Sequence, residues 1–190
     1  MSLRIRSTIM TKNATNNEDL VWYLSYGSNM LFERFMHYIR GGSFRKGGAC
    51  HAPCADQSEP RRKACCRIPY DMYFAMNSEK WHGAVSFLDT SHEGEALGVA
   101  YLVTRQQFDH VVQEENGGGL PVNNTSWYRK VLSLGYLDGY EVVTFTNPKT
   151  LESNEPSEDY LETLARGLRE NYTEMSEEEI WAYLERCKNN

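Results

Sequence analysis

Two hydrophobic periodicities alternate along the chain and predict an α+β fold. In "VWYLSY", residues 21–26, the side chains of Trp22, Leu24 and Tyr26 share one face of an extended chain, which is the period-two pattern of a strand. Apolar residues then recur at helical spacing over residues 31–39. The Gly-Ser-Asn segment between the two patterns, residues 27–29, is therefore predicted to turn a strand into a helix.

Further strands and helices follow this corner. Period-two or apolar runs bounded by turn residues predict strands over residues 67–75, 81–88, 96–103, 126–133 and 140–146. Capping boxes at Thr104 and Ser176 each predict the start of a helix, and an amphipathic repeat predicts another over residues 157–170. About six strands in one chain favour a closed or half-closed antiparallel sheet with helices packed on it.

The composition suits one globular domain. A chain of 190 residues that is 41% hydrophobic and 24% charged can bury one sizeable core. We expect a flexible N-terminal arm over residues 1–19 and a single domain over residues 20–190. Residues 40–67 are rich in Gly, Cys and basic side chains and have no clean period, so they predict a long surface excursion. A solvated loop is the simplest interpretation, and a basic lid that recruits an acidic substrate is the alternative.

Charge and leader patterns limit the partners that we expect. A net charge of −6 and a pI near 5.4 give no general attraction to nucleic acid or to anionic membranes, so neither is an expected partner. The first twenty residues lack the apolar block of a signal peptide, and no run of 18 apolar residues occurs, which favours a cytoplasmic location.

The cysteines are expected to be reduced thiols in that compartment. Four of the five, together with His51, crowd into residues 50–66. Their spacing is poor for a tetrahedral zinc site compared with paired Cys-x2-Cys knuckles, so ordinary loop cysteines are the preferred interpretation. We therefore expect neither a metal nor another cofactor.

One carboxylate lies on an apolar helix face. In the helix predicted after Thr104, Phe108 and Glu115 are seven residues apart, so Glu115 falls on the same stripe as the apolar side chains, whereas Glu114 is expected to face water. A carboxyl group among apolar side chains loses hydration, which raises its pKa towards the range of a general base. The alternative is a frayed helix end, where a position on that stripe also meets solvent.

These features together resemble the gamma-glutamylcyclotransferase superfamily. "YLSYGSNM" is similar to the Tyr-Gly-Ser-Asn signature of that family, and "WHGAVSFL", "GVAYLV" and "RQQFDHVVQEEN" follow in the family's order. The resemblance covers residues 21–183 apart from the excursion. It implies a mixed, mainly antiparallel β-barrel of about six strands flanked by helices, with a substrate cavity between the signature loop and an acidic residue. That acid corresponds to Glu115, seven residues beyond Phe108.

The resemblance also implies a reaction. In such enzymes the α-amine of a gamma-glutamyl amide attacks its own side-chain carbonyl, releasing 5-oxoproline and an amine, with no cofactor. Glu115 would be the general acid and base, and backbone N–H groups of the signature loop would hold a substrate carboxylate or the developing oxyanion. The residues expected to bind the substrate are Tyr26, Gly27, Ser28, Asn29, Met30, Tyr128 and Tyr160.

One departure from the family pattern affects the expected pocket. Asn116 follows Glu115 where relatives often have glycine, and a long "GGGLPVNNTSW" connection comes next. The acyl-acceptor side of the substrate is therefore left open, as is the oligomeric state. Two other functions stay possible from the sequence: a related amidotransfer, such as removal of a gamma-glutamyl protecting group, and a noncatalytic module that binds an acidic metabolite.

Overall fold

The computed structural model describes residues 4–7, 19–44, 50–118 and 126–190. The strands of these residues are β1 (Arg4–Ser7), β2 (Leu20–Ser25), β3 (Arg62–Ile68), β4 (Asp71–Ser78), β5 (Gly83–Asp89), β6 (Ala96–Thr104), β7 (Lys130–Leu137) and β8 (Tyr140–Thr146). The helices are α1 (Phe32–Arg40), α2 (Arg105–Glu115), α3 (Glu158–Asn171) and α4 (Glu177–Lys188), and a 3-10 turn, Ser28–Met30, precedes α1. Most of the predicted arm, residues 1–19, lies outside the described residues, and its described part includes β1.

Six strands form one mixed sheet. Their order is β1-β3-β6-β2-β8-β7, and every neighbouring pair is antiparallel except β2 and β8, which are parallel. Strands β4 and β5 pair with each other in a separate two-stranded sheet. The α+β class and the mainly antiparallel pairing are confirmed. The described strands do not close into a barrel, because β1 and β7 are edges with one partner each and the β4–β5 ladder is not continuous with the larger sheet.

The structure moves two strand boundaries. Strand β3 occupies residues that the sequence pattern assigned to the surface excursion, and a turn at residues 69–70 separates it from β4. In β3 the buried residues Ala64, Cys66 and Ile68 alternate with basic or small side chains, so the strand has a period of two with weakly hydrophobic members. Strand β7 begins at Lys130 rather than four residues earlier, because the preceding residues bond to the end of α2 instead of to a strand.

The core lies between the six-stranded sheet and the helices. Strand β6 is buried from Ala96 to Val103 because it pairs on both sides and is covered on both faces. Helix α1 packs on this strand through Phe35, whose ring stacks on that of Tyr101 at a centroid distance of 4.4 Å. Trp22 is fully buried and donates its indole N–H to the carbonyl of Leu137 at 3.0 Å, which joins β2 to the far edge of the sheet.

Both predicted capping boxes are present, and the first one positions a candidate functional group. The Thr104 hydroxyl accepts a hydrogen bond from the Gln107 backbone N–H, while the Gln107 side chain accepts one from the Thr104 N–H. This pairing fixes where α2 begins, and the buried side chains of Phe108, Val111 and Val112 fix which face it turns to the sheet. Together they determine where Glu115 lies, at the last position of the helix.

Candidate active site

A cavity of about 430 Å³ opens between the corner after β2, the end of α2 and the β4–β5 hairpin. This volume is in the range of sites that bind small molecules. The structure brings seven of the eight predicted site residues to its wall: Tyr26, Gly27, Ser28, Asn29, Glu115, Tyr128 and Tyr160. Met30 is the exception. Its side chain is fully buried in the core, and its carbonyl accepts hydrogen bonds from Tyr101 and Asn171 at 3.0 Å each.

The corner after β2 presents backbone donors to this cavity. The N–H groups of Met30 and Leu31 bond back to Gly27 and Ser28 within the 3-10 turn. The N–H groups of Gly27, Ser28 and Asn29 have no hydrogen-bond acceptor in the part of the chain that the structure describes. The corner therefore offers up to three donors for an anionic or carbonyl oxygen.

Gly27 is required at the corner because of space. Its φ of −111° is one that other residues adopt, so a positive backbone angle is not the reason for glycine here. A Cβ atom on Gly27 would lie 2.7 Å from the Ser86 Oγ atom and 3.3 Å from the Tyr160 hydroxyl. A side chain at this position would therefore have to displace the Ser86 hydroxyl of β5 and would press on the Tyr160 hydroxyl of α3.

Glu115 is hydrogen-bonded to the corner. It is half-buried, and its Oε1 atom accepts a hydrogen bond from the Asn29 side-chain amide at 3.0 Å. The same amide nitrogen donates to the Tyr23 hydroxyl at 3.2 Å, and Asn29 is itself buried. The carboxylate and the signature loop are therefore held together by one side chain, although they are 86 residues apart in the sequence.

The phenols around Glu115 stay protonated. Burial raises the pKa of Tyr38 well above its usual value, and the nearby carboxylate of Glu115 raises it further. Burial and the same carboxylate also raise the pKa of Tyr23. These rings give the carboxylate a neutral, weakly polar environment in which its interaction with a substrate cation is stronger than in water.

The other tyrosines of the wall use their hydroxyl groups within the protein. Tyr26 donates to the carbonyl of Phe145 at 2.7 Å, and Tyr128 donates to the carbonyl of Ser86 at 3.1 Å. The Tyr160 hydroxyl accepts from the Ser86 N–H at 3.1 Å, and burial raises its pKa to about 12. We therefore assign these three residues to the shape of the cavity rather than to proton transfer.

Asn116 has a structural reason to stand where relatives often have glycine. Its side-chain amide donates to the carbonyls of Val112 and Tyr128, and its side-chain oxygen accepts from the Tyr128 N–H. It thus ends α2 and holds the backbone of Tyr128 against this helix end. Asn116 therefore positions Tyr128 in the cavity wall.

The expectation that Glu114 faces water is wrong. Its side chain is only 17% exposed, and its Oε2 atom lies 2.9 Å from the Nδ1 atom of the buried His51. The reason is tertiary, because the described part of the excursion around His51 packs against α2. The backbone of His51 pairs with Gly42 at the end of α1, and the carbonyl of Ala52 contacts His110 on α2.

Arg34, which was not among the predicted site residues, lines the cavity from α1. Its side chain is buried, donates to the Tyr38 hydroxyl at 2.6 Å and lies 3.2 Å from the Nε2 atom of His51. A signal was present, because Arg34 stands three residues after Leu31 and four before Tyr38, on a largely buried side of the helix. A charged side chain in that position requires partners, and the sequence alone did not show them.

Two further properties concern the described residues as a whole. All five cysteines are free thiols, and no group of three or more His, Cys, Asp or Glu side chains in these residues is arranged to hold a metal ion. Of the described helices, none has the length and apolar content that crossing a bilayer requires.

Solved structures with the same fold identify its class. The chain superposes on gamma-glutamyl cyclotransferase with a TM-score of 0.54 and 20% identity, covering 87% of this chain and 86% of that one. The chain has the gamma-glutamyl cyclotransferase fold. Uncharacterized protein loc79017 from Homo sapiens gives a TM-score of 0.58 at 20% identity and 88% coverage of each chain. YkqA from Bacillus subtilis gives 0.57 at 18% identity, covering 90% of this chain and 55% of YkqA.

Sequence comparison gives a different relative. No protein-family model matches the chain. It is 29% identical over 209 residues to histone deacetylase 5 of Arabidopsis thaliana, an alignment that covers 88% of this chain. The chain spans 30% of the length of that relative. The solved structures, and not this sequence relative, confirm the predicted resemblance at the level of the fold.

Proposed function

We propose that the protein is a gamma-glutamyl cyclotransferase that uses Glu115 as its general acid and base. The observation that carries this proposal is the 3.0 Å hydrogen bond between the Asn29 side-chain amide and the Glu115 carboxylate at the wall of the cavity. It joins the signature corner to the predicted acid. The fold shared with gamma-glutamyl cyclotransferase supports the same conclusion.

In the proposed reaction the substrate supplies its own nucleophile. Glu115 accepts a proton from the α-ammonium group, and the freed amine attacks the side-chain carbonyl to close a five-membered ring. The N–H donors of Gly27, Ser28 and Asn29 stabilise the oxygen that becomes negative. When the carbon–nitrogen bond of the amide breaks, Glu115 returns this proton to the departing nitrogen. It then accepts the second proton that the ring nitrogen must lose and passes it to the released amine, so that 5-oxoproline and the amine in its ammonium form leave.

The surroundings of Glu115 suit this chemistry. A cyclisation within one molecule requires the substrate to be folded and held, and a cavity walled in part by aromatic rings can do this without a nucleophilic side chain. The buried ring of Phe87 stacks on Tyr128, and Tyr160 packs edge-on against Trp81, so the aromatic residues of the wall support one another.

The experiment that tests this function is a substrate panel. The protein is incubated with gamma-glutamyl amines and gamma-glutamyl dipeptides of different size and charge, and 5-oxoproline is quantified against a Glu115→Gln control. Production of 5-oxoproline from at least one member, absent in the control, is the expected result. Release of glutamate instead indicates the related amidotransfer, and tight binding with no product across the panel indicates a binding module. Either of these results overturns the proposal.

A further inference from the structure

Arg34 is a buried cation with no carboxylate partner. Its side chain is 5% exposed, and its Nε atom has no hydrogen-bond partner. No ion pair between Arg34 and a carboxylate occurs in the described residues; its contacts are His51, the Tyr38 hydroxyl and aromatic faces. Removing a guanidinium from water is costly unless a counter-charge is supplied. Since Arg34 lines the cavity, a ligand can supply that charge.

The partner atoms of Arg34 fix the protonation of His51. A guanidinium only donates hydrogen bonds, so the His51 Nε2 atom, 3.2 Å from Nη1, must be the acceptor. The proton of a neutral imidazole then lies on Nδ1, which donates to the Glu114 carboxylate at 2.9 Å. Burial lowers the pKa of His51, which favours this neutral form. Glu114 therefore sets the tautomer of His51, and His51 in turn orients Arg34.

Arg34 and Glu115 line the same cavity. The Tyr38 hydroxyl accepts from Arg34 Nη2 at 2.6 Å, and all three residues contribute to the cavity wall. The wall therefore carries one buried cation and one half-buried carboxylate. An α-amino acid carries its carboxylate and ammonium groups on one carbon atom, so it presents one charge of each sign. The two fixed charges are complementary to that head group.

We infer that Arg34 binds the α-carboxylate of an α-amino acid head group and that Glu114, through His51, is a positioning residue for it. This inference rests on the proposed function, and it names the part of the substrate that the wall formed by α1 recognises. The ammonium group of the substrate then faces Glu115. The backbone donors of the corner are left for the side-chain carbonyl oxygen, which becomes negative during ring closure.

A pair of ligands isolates the carboxylate. 5-Oxoproline and 2-pyrrolidinone share the lactam ring, but only 5-oxoproline carries the carboxylate. We expect the wild-type protein to bind 5-oxoproline more tightly by roughly 10- to 100-fold, as measured by calorimetry or ligand-observed NMR. In Arg34→Gln this preference should fall to near unity while the affinity for 2-pyrrolidinone changes little. A preference that survives in Arg34→Gln overturns the assignment.

The positioning role is tested by Glu114→Gln, which keeps the shape of the side chain and removes its charge. We expect its preference for the carboxylate-bearing ligand to fall by about 3- to 30-fold, and its KM for a gamma-glutamyl substrate to rise by a similar factor with kcat little changed. The matched control is Glu33→Gln, which makes the same change in an exposed acid that pairs with Arg166. A merely structural Glu114 would lower the melting temperature and leave the ligand preference unchanged, which contradicts the inference.

Parallel turnover assays separate this inference from the proposed function. If the substrate panel yields 5-oxoproline but Arg34→Gln keeps the preference for the carboxylate-bearing ligand, the assignment of Arg34 is wrong and the proposed cyclotransferase activity is retained. If no substrate of the panel reacts but the preference depends on Arg34 and Glu114, the carboxylate site stands and the cyclotransferase is overturned. If the wild-type protein binds both ligands equally, the carboxylate site is overturned whatever the turnover.

Discussion

Two walls of the cavity are built in different ways. The corner wall, which consists of residues 27–29 and Glu115, joins the ends of two regular elements, β2 and α2. The arginine wall consists of Arg34 and Tyr38 and is supported from behind by His51 and Glu114, so it depends on a segment without a helix or strand that contacts α1 and α2. In both walls a carboxylate from the end of α2 contacts a residue at least 63 positions earlier in the chain.

The difference between the two walls shows which site residues can be predicted from the hydrophobic periodicity of the sequence. The corner wall lies where a period-two pattern gives way to a helical one, and its acid is counted along the face of a capped helix. The arginine wall contains an equally buried set of polar groups, but its histidine lies in a segment that has no period. We infer that the first wall performs the chemistry and that the second selects the substrate, and the following changes test that division.

Glu115→Gln should have the largest effect. The amide keeps the shape of the side chain but cannot take up the ammonium proton, so kcat should fall by about 100-fold to 10,000-fold while 5-oxoproline still binds. Steady-state assays and calorimetry on the same preparation measure both quantities. If Glu115→Gln retains wild-type turnover, the corner wall is not the catalytic one.

Gly27→Ala should have the next largest effect. The added methyl group meets Ser86 Oγ at 2.7 Å, so either the Ser86 side chain or the corner must move. If the corner moves, displacement of one backbone donor typically lowers kcat by about 100-fold to 1000-fold. The free energy of unfolding should fall by about 1 to 3 kcal/mol. Adding Ser86→Ala to this variant removes the clashing oxygen and should recover part of both losses. An unchanged double variant would show that the contact with Ser86 is not the cause.

Asn116→Ala tests the hydrogen bonds that join Tyr128 in the cavity wall to the end of α2. It removes three hydrogen bonds, two of them to the backbone of Tyr128, so the free energy of unfolding should fall by about 1 to 3 kcal/mol. Urea unfolding measures this change, and turnover measured well below the transition should fall by less than in Gly27→Ala. A rate loss larger than that of Gly27→Ala would place Asn116 in the reaction itself.

The smallest expected effect is a change of stability with pH that comes from His51 behind the arginine wall. Burial and Arg34 lower the pKa of His51, while its bond to Glu114 opposes them in part. Below pH about 6.5 the unfolded chain therefore binds a proton that the folded protein excludes, and the free energy of unfolding falls as the pH falls. His51 contributes at most about 1.4 kcal/mol per pH unit.

The control for this effect is His51→Gln, which cannot titrate. Urea unfolding between pH 7.5 and 5.5 should show that the free energy of unfolding declines less steeply in His51→Gln than in the wild-type protein. A pH-independent difference in stability between the two proteins does not affect this comparison of slopes. Equal slopes in the two proteins would contradict a neutral, buried His51.

Several parts of this protein could be predicted from local patterns. The capping residues Thr104 and Ser176 begin their helices as predicted, because such hydrogen bonds are made within four consecutive residues. The face of Glu115 followed from helix geometry, and the signature corner followed from the change of period. Strand β3 was missed because its buried positions include alanine and cysteine among basic residues.

What the sequence determined by itself is therefore the class of the fold, the strand-to-helix corner and the helix end that carries Glu115, since each depends on residues that are neighbours along the chain. Only the tertiary structure decided that the sheet is open, that Gly27 is needed for its close approach to Ser86, and that Glu114 turns towards His51 rather than water. These properties depend on segments that are distant in sequence and meet across the core. A local periodic pattern does not predict which buried charged side chains will be in contact there.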